Sequence, residues 1–189
     1  MLNYISDTWK EILNSARNTV SKNKTSNYPS NTWKTSILIS EHSPIRKLVI
    51  DYTWKSIKSW ISVHFCRHKF GVDHFVSTQR DDRTSIDRDK STQDTKVSHN
   101  INLNAQAIIN ISRKRLCINA HKETREKWKE FLESFKKDES ELYFVCVPEC
   151  VYRCGCPEFK SCGYWDKFVN TLTEEELTHI HSRYSKYSK

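Results

Sequence analysis

Residues 57–78 read IKSWISVHFCRHKFGVDHFVST, and the rest of the chain is best read outward from this stretch. Ile57, Trp60, Ile61, His64 and Phe65 recur at helical spacing, which predicts an amphipathic helix burying one apolar stripe. That helix delivers Arg67-His68-Lys69 at its C-terminal end. Packing seldom demands two cations and an imidazole in a row. Standing alone, they fit a basic helix terminus that complements the macrodipole. Residues 75–78 then read as a short strand carrying Ser77.

Upstream, Leu48, Ile50, Tyr52 and Trp54 alternate with Val49, Asp51 and Thr53, the period-two pattern of a strand. Trp33, Ile37 and Leu38 suggest a short helix stopped by Pro44. Leu2, Ile5, Trp9, Ile12, Leu13, Ala16 and Val20 predict a first helix, separated from it by a polar loop over 21–30. Downstream, residues 79–102 are crowded with Asp, Arg, Thr and Ser, and Ile86, Val97 and Ile101 are their only strong apolar residues. They read as a long polar loop, which in a compact domain is functional or mobile. Residues 104–117 and 120–137 read as helices, 142–147 as a strand, and Trp165, Phe168, Val169 and Leu172 as a last short helix.

Two spacings carry chemistry. Arg67-His68-Lys69 is followed, after seven residues, by Ser77. Further on come Asn104-Ala105, Asn110, Arg115 and Ala120-His121-Lys122-Glu123-Thr124-Arg125. Arg115 lies four residues after Ile111 and seven after Ile108, so it points with a buried stripe. A cation there needs an anion: Glu123 is one candidate, a phosphate the other.

Together these residues resemble the signature of the flavin-dependent thymidylate synthases, which reads Arg-His-Arg, seven residues, Ser, and the later helix of that family. Lys69 stands for the last Arg, keeping the charge but losing the bidentate fork. Ser15-Ala16-Arg17 and His42-Ser43-Pro44 resemble shorter family stretches, so the resemblance runs over residues 15–125. It implies an α/β (α+β) fold, a curved mixed sheet packed with helices, over residues 1–145. A Cys-rich extension, 146–189, would pack on the same domain. It implies FAD held by Ser43, Arg67, His68, Lys69, Asn104 and Asn110. The pyrimidine nucleotide dUMP would meet His64, Ser77, Arg80 and Arg115, with Ser77 and Arg115 at the reacting nucleotide. The implied reaction is reductive methylation of dUMP to dTMP, with methylenetetrahydrofolate as carbon donor and NADPH as reductant, in a homotetramer whose sites are shared between subunits. Departures stand beside the match. His74 and Phe75 replace an Asn-Glu pair, Gln79 and Gln106 replace arginines, and the segment between signature and late helix is shortened, leaving Arg80, Arg83 or Arg88 to supply a phosphate contact.

Composition bounds these readings. A formal net charge of +8 favours an anionic partner, whether nucleic acid, nucleotide phosphates or an acidic surface. A metal-stabilised nucleic-acid-binding protein is therefore the alternative, as is a nucleotide-binding relative without turnover. The three glycines, Gly71, Gly155 and Gly163, are isolated, which excludes a Gly-rich phosphate loop. Any phosphate must be held by side chains and helix ends. No apolar run approaches a membrane span, and Met1-Leu2-Asn3-Tyr4 leads into no signal-peptide layout. The expected compartment is the cytosol, where the seven cysteines stay reduced. Cys150, Cys154, Cys156 and Cys162, with Cys146 upstream, could hold zinc or an iron–sulfur cluster; free thiols and disulfides are the other readings.

Overall fold

The computed structural model describes residues 1–184. In chain order it comprises β1 (Leu2–Ile5), α1 (Trp9–Thr19), α2 (Asn31–Ile39), a 3-10 turn (Ser43–Lys47), β2 (Val49–Lys58), α3 (Ser59–Cys66) and β3 (Val72–Val76). A short 3-10 turn (Arg88–Lys90) interrupts the following loop. Then come β4 (Lys96–Asn104), α4 (Ala105–Arg115), α5 (Lys122–Phe135), α6 (Ser140–Val145), α7 (Glu149–Tyr152), α8 (Tyr164–Val169) and α9 (Glu174–Tyr184). The strands form one sheet in the order β1-β2-β4-β3, every pair antiparallel.

Alternation along the two central strands makes the sheet two-faced. Ile50, Tyr52 and Trp54 of β2 and Val97, His99, Ile101 and Leu103 of β4 are buried. The opposite face is polar: Asp51 accepts from the side-chain amides of Asn3 at 2.7 Å and Asn100 at 2.8 Å. Helices cover the apolar face. Trp54 stacks on Phe65 of α3, with centroids 4.8 Å apart and planes 4° apart. Phe131 of α5 meets Tyr52 edge-on at 5.2 Å. Trp128 packs on Phe131 at 4.8 Å and donates its indole N–H to Ser112 of α4 at 3.0 Å. Truncating a buried ring such as Phe131 costs about 3–5 kcal/mol, so this aromatic seam locks α3 and α5 onto the sheet.

Several sequence expectations change. Ile57 belongs to β2 and not to the helix after it, because its main chain pairs with Val97 of β4. The strand expected at 75–78 runs over 72–76 and stops short of Ser77, and α9 follows the helix expected to be last. Leu2 and Ile5 belong to β1, not to the first helix, because their main chain pairs with β2. The expected long loop ends at Thr95, and β4 occupies 96–104 at the centre of the sheet. Residues 140–145 are helical rather than extended, since α6 packs against α2. The sheet is antiparallel throughout where a mixed one was expected, because each strand returns beside an oppositely directed neighbour. Beyond the main core, a second cluster gathers Cys150, Val151, Tyr164, Trp165, Phe168 and Ile180. Among the described residues no helix is long and apolar enough to cross a membrane.

Candidate functional site

The C-terminal ends of α3 and α4 converge, and a first-turn residue of α5 joins them. Arg67 is the C-terminal cap of α3, and Arg115 is the last residue of α4. Both satisfy the preference for positive charge at a helix C-terminus, but their surroundings go further. The Arg115 Nε–H donates to His68 Nε2 at 2.9 Å, and a terminal nitrogen donates to the main-chain carbonyl of His64. The His64 ring Nδ1 lies 2.9 Å from Thr124 Oγ1, and Thr124 is 0% exposed. Trp60 and His121 close the ring: the Trp60 centroid is 5.4 Å from that of His64 and 4.6 Å from that of His121.

No carboxylate neutralises this cluster among the described residues. Glu123, the internal candidate, pairs instead with Lys58 at 2.8 Å. Arg67 and Lys69 are exposed and have no carboxylate partner among the described residues. Burial and then the neighbouring Arg67 push the Arg115 guanidinium below its ordinary value. Burial, Arg115 and His74 hold His68 down at about 4. Burial, Arg115, Arg67 and His121 likewise lower His64. These shifts describe an electropositive, partly desolvated site that favours an incoming anion.

Behind it runs a row of hydrogen bonds that sequence reasoning missed. Ser62 Oγ lies 3.0 Å from His99 Nδ1, His99 Nε2 lies 3.0 Å from His74 Nδ1, and His74 Nε2 lies 2.8 Å from the His68 carbonyl. A carbonyl only accepts, so His74 Nε2 donates. In neutral rings His74 Nδ1 then accepts from His99 Nε2–H, and His99 Nδ1 accepts from the Ser62 hydroxyl. Burial, with His74, holds His99 down at about 4. The one signal for this row in the sequence was the period-two placement of His99 among Val97, Ile101 and Leu103.

The other expected residues lie elsewhere. Ser77 follows β3 and accepts the Ser98 N–H at 2.9 Å, three residues and about 10 Å along the strand from His74. Arg80 is tied to Asp82 through two bonds of 2.8 and 2.6 Å. Asn104 caps α4, accepting from Ala107 N–H at 2.9 Å. Asn110 is exposed and accepts from Arg113 at 3.3 Å, while Glu41 holds both Gln106 and Arg113. Ser43 lines a groove of about 680 Å³ with Glu11, Asn14, Lys24 and Lys47. Cys150, Cys156 and Cys162 line one small pocket together with Cys117, whereas Cys154 is not among its lining residues. These sulfurs do not form a group with ligand atoms within 4.8 Å of one another, as Cys66, His74 and His99 do among the described residues.

The fold has solved counterparts. The flavin-dependent thymidylate synthase ThyX from Helicobacter pylori, crystallised with FAD and dUMP, aligns with TM-score 0.59 and 12% identity, covering 78% of this chain and 97% of that one. PolB from Streptomyces cacaoi, a UMP/dUMP methylase bound to 5-Br dUMP, aligns with TM-score 0.61 and 10% identity, covering 76% and 92%. No protein-family model and no curated protein sequence matches the chain. The chain thus has the fold of the ThyX-type nucleotide methylases.

Proposed function

We propose that this protein binds a pyrimidine nucleotide, dUMP or a close relative, and methylates its base with the aid of FAD. The observation that carries this reading is Arg115: a half-buried guanidinium held by two neutral acceptors, with no carboxylate among the described residues, on a fold of which solved examples bind dUMP or its bromo analogue. The nucleotide phosphate supplies the missing anion. His68 and His64 fix the Arg115 fork before the ligand arrives, so little ordering cost remains on binding.

The donor set suits FAD in charge more than in shape. Arg67 and Lys69 are exposed cations without carboxylate partners among the described residues and would hold the pyrophosphate, in a chain that has no Gly-rich loop to do so. The α4 positions matched to flavin contacts are engaged internally: Asn104 as a cap, and Gln106 with Arg113 on Glu41. When bound, FAD supplies the hydride chemistry, with NADPH as reductant and methylenetetrahydrofolate as carbon donor. Ser43, Asn110 and Ser77 do not converge with Arg115 inside one chain. In this reading they complete the site across the subunit interface of a homotetramer.

The test is binding followed by turnover. Purified protein loaded with FAD is expected to be yellow, to bind dUMP, and to restore growth of a thymidine-requiring strain, with Arg115→Ala failing in each nucleotide-dependent step. A folded protein that takes up neither FAD nor dUMP, but binds DNA or RNA with steep salt dependence, would overturn the reading in favour of a nucleic-acid-binding protein.

A further inference from the structure

We infer that Cys66, His74 and His99 form a binding site for a divalent transition metal of borderline softness, with zinc as the natural fit. The inference is independent of the nucleotide reading. Three chain segments bring the groups together: Cys66 ends α3, His74 sits in β3, and His99 lies at the centre of β4. The thiol sulfur and one nitrogen of each ring all lie within 4.8 Å of one another. One thiolate and two imidazoles are a zinc ligand set, and catalytic-type zinc sites use three protein ligands with one position left for water.

The outer partners are already in place. A ligating histidine usually donates its other ring N–H to a carbonyl, carboxylate or water, which orients the ring. His74 turns Nε2 to the His68 carbonyl at 2.8 Å, leaving Nδ1 facing inward. His99 turns Nδ1 to Ser62 Oγ at 3.0 Å, leaving Nε2 facing inward. The two inward nitrogens are 3.0 Å apart. Tetrahedral zinc with ordinary Zn–N and Zn–S bonds requires about 3.3 Å between nitrogens and about 3.6 Å from nitrogen to sulfur. The two nitrogens need to separate by only a few tenths of an ångström, and the sulfur, within 4.8 Å of each, to settle at about 3.6 Å.

His99 moves its proton from Nε2 to Nδ1 and donates it to Ser62 Oγ, so both imidazoles stay neutral. Cys66 gives up its thiol proton on becoming the thiolate ligand. One metal enters and one proton leaves, with no change of oxidation state. The chain's only methionine is Met1, exposed and far along the sequence from these ligands. The set therefore lacks an axial Met; a Gln or main-chain oxygen can fill that place in a blue-copper centre, so the zinc assignment rests on the four-coordinate site with one open position.

The experiment is a titration of the full chain with cobalt(II) under argon, thiols reduced. The expected result is one tetrahedral cobalt per chain, with a sulfur-to-cobalt charge-transfer band that zinc displaces. Cys66→Ser and His74→Ala are expected to lose the band, and Ser62→Ala to weaken binding roughly 10–100-fold. A variant with Cys150, Cys154, Cys156 and Cys162 all changed to Ser is expected to retain it, which separates this site from the distal cysteines. Circular dichroism shows whether each variant is folded, and zinc is expected to raise the melting temperature of the parent but not of Cys66→Ser. A folded parent that binds no cobalt, or a band that survives both Cys66→Ser and His74→Ala, overturns the inference.

Discussion

Arg115 Nε and His68 Nε2 are 2.9 Å apart, and because an arginine can only donate, His68 must present a bare nitrogen. Two groups that would repel if both were charged are thereby joined as donor and acceptor. The guanidinium is aimed by a neutral ring, and its positive charge is left unspent for a ligand.

Replacing Arg115 with Ala is expected to weaken dUMP binding by roughly 10–100-fold, the value of a charge-assisted hydrogen bond. Lys at this position keeps charge but loses the fork to His68 and His64, so it should recover only part of the affinity. Calorimetric titration with dUMP measures both. Equal affinity in parent and Ala variant would remove Arg115 from the nucleotide site.

Acid should destabilise the fold through His68 and His99. Both are held at about 4 in the folded chain, below the ordinary value near 6.5. Above 6.5 their contribution is complete. As pH falls from 6.5 towards 4, the unfolded chain takes up protons that the folded chain refuses, and stability is lost. Urea midpoints across this window should fall with pH, and His68→Gln should make the fall shallower. A midpoint rising on acidification in the Glu139→Gln background would contradict this.

Glu139 acts in the opposite sense. It is 6% exposed and accepts the Trp9 indole N–H at 3.0 and 3.1 Å, and burial pushes its carboxyl up to about 7. Between the unfolded value near 4.5 and 7 the folded chain retains a proton that the unfolded chain loses, so stability falls as pH rises. Glu139→Gln keeps an acceptor for Trp9 without the charge. Above pH 7 it should be more stable than the parent by on the order of 3 kcal/mol, read from urea unfolding at pH 8. It should also steepen the acid loss caused by the two histidines, since the opposing proton is gone.

Gly71 enters β3 with φ +70°, and a Cβ there would lie 2.5 Å from Asn104 Nδ2. Gly71→Ala therefore strains the backbone and displaces the α4 cap at once. A loss of about 2 kcal/mol is expected, roughly half from each cause, measured as a lower urea midpoint. An unchanged midpoint would mean that the Asn104 side chain can yield without leaving Ala107 unsatisfied.

The sequence was most legible where periodicity was clean. The first part of β2 and α3, α4 and α5 follow from their apolar spacing, whereas the irregularity between Trp54 and Ile57 hid the end of β2 and gave Ile57 to the following helix. β4 was hidden because His99 occupies an inward position and breaks the apolar alternation of Val97, Ile101 and Leu103. Residues 142–147, rich in aromatic and β-branched side chains, mimic a strand, and only packing against α2 decides otherwise. At the site, the resemblance set His64, His68 and Arg115 together, and in the fold Arg115 does lie within hydrogen-bond reach of both histidines. The meeting of His74 and His99 was not foreseen, because it depends on the pairing of β3 with β4, which no local pattern encodes. Ser43 was expected at the flavin, and Ser77 and Arg80 beside the nucleotide, but one chain alone does not gather them with Arg115.

The row from Ser62 through His99 and His74 ends on a main-chain oxygen. Substitution can change any side chain in it, but not that oxygen. The direction of the His74 donor is thus inherited from the backbone, and in the metal-free chain the roles of His99 and Ser62 follow from it. Among descendants of this chain, an apolar residue at 99 should be accompanied by the loss of histidine at 74 and of hydroxyl at 62, leaving a covarying trio as the trace of a constraint that no single residue carries.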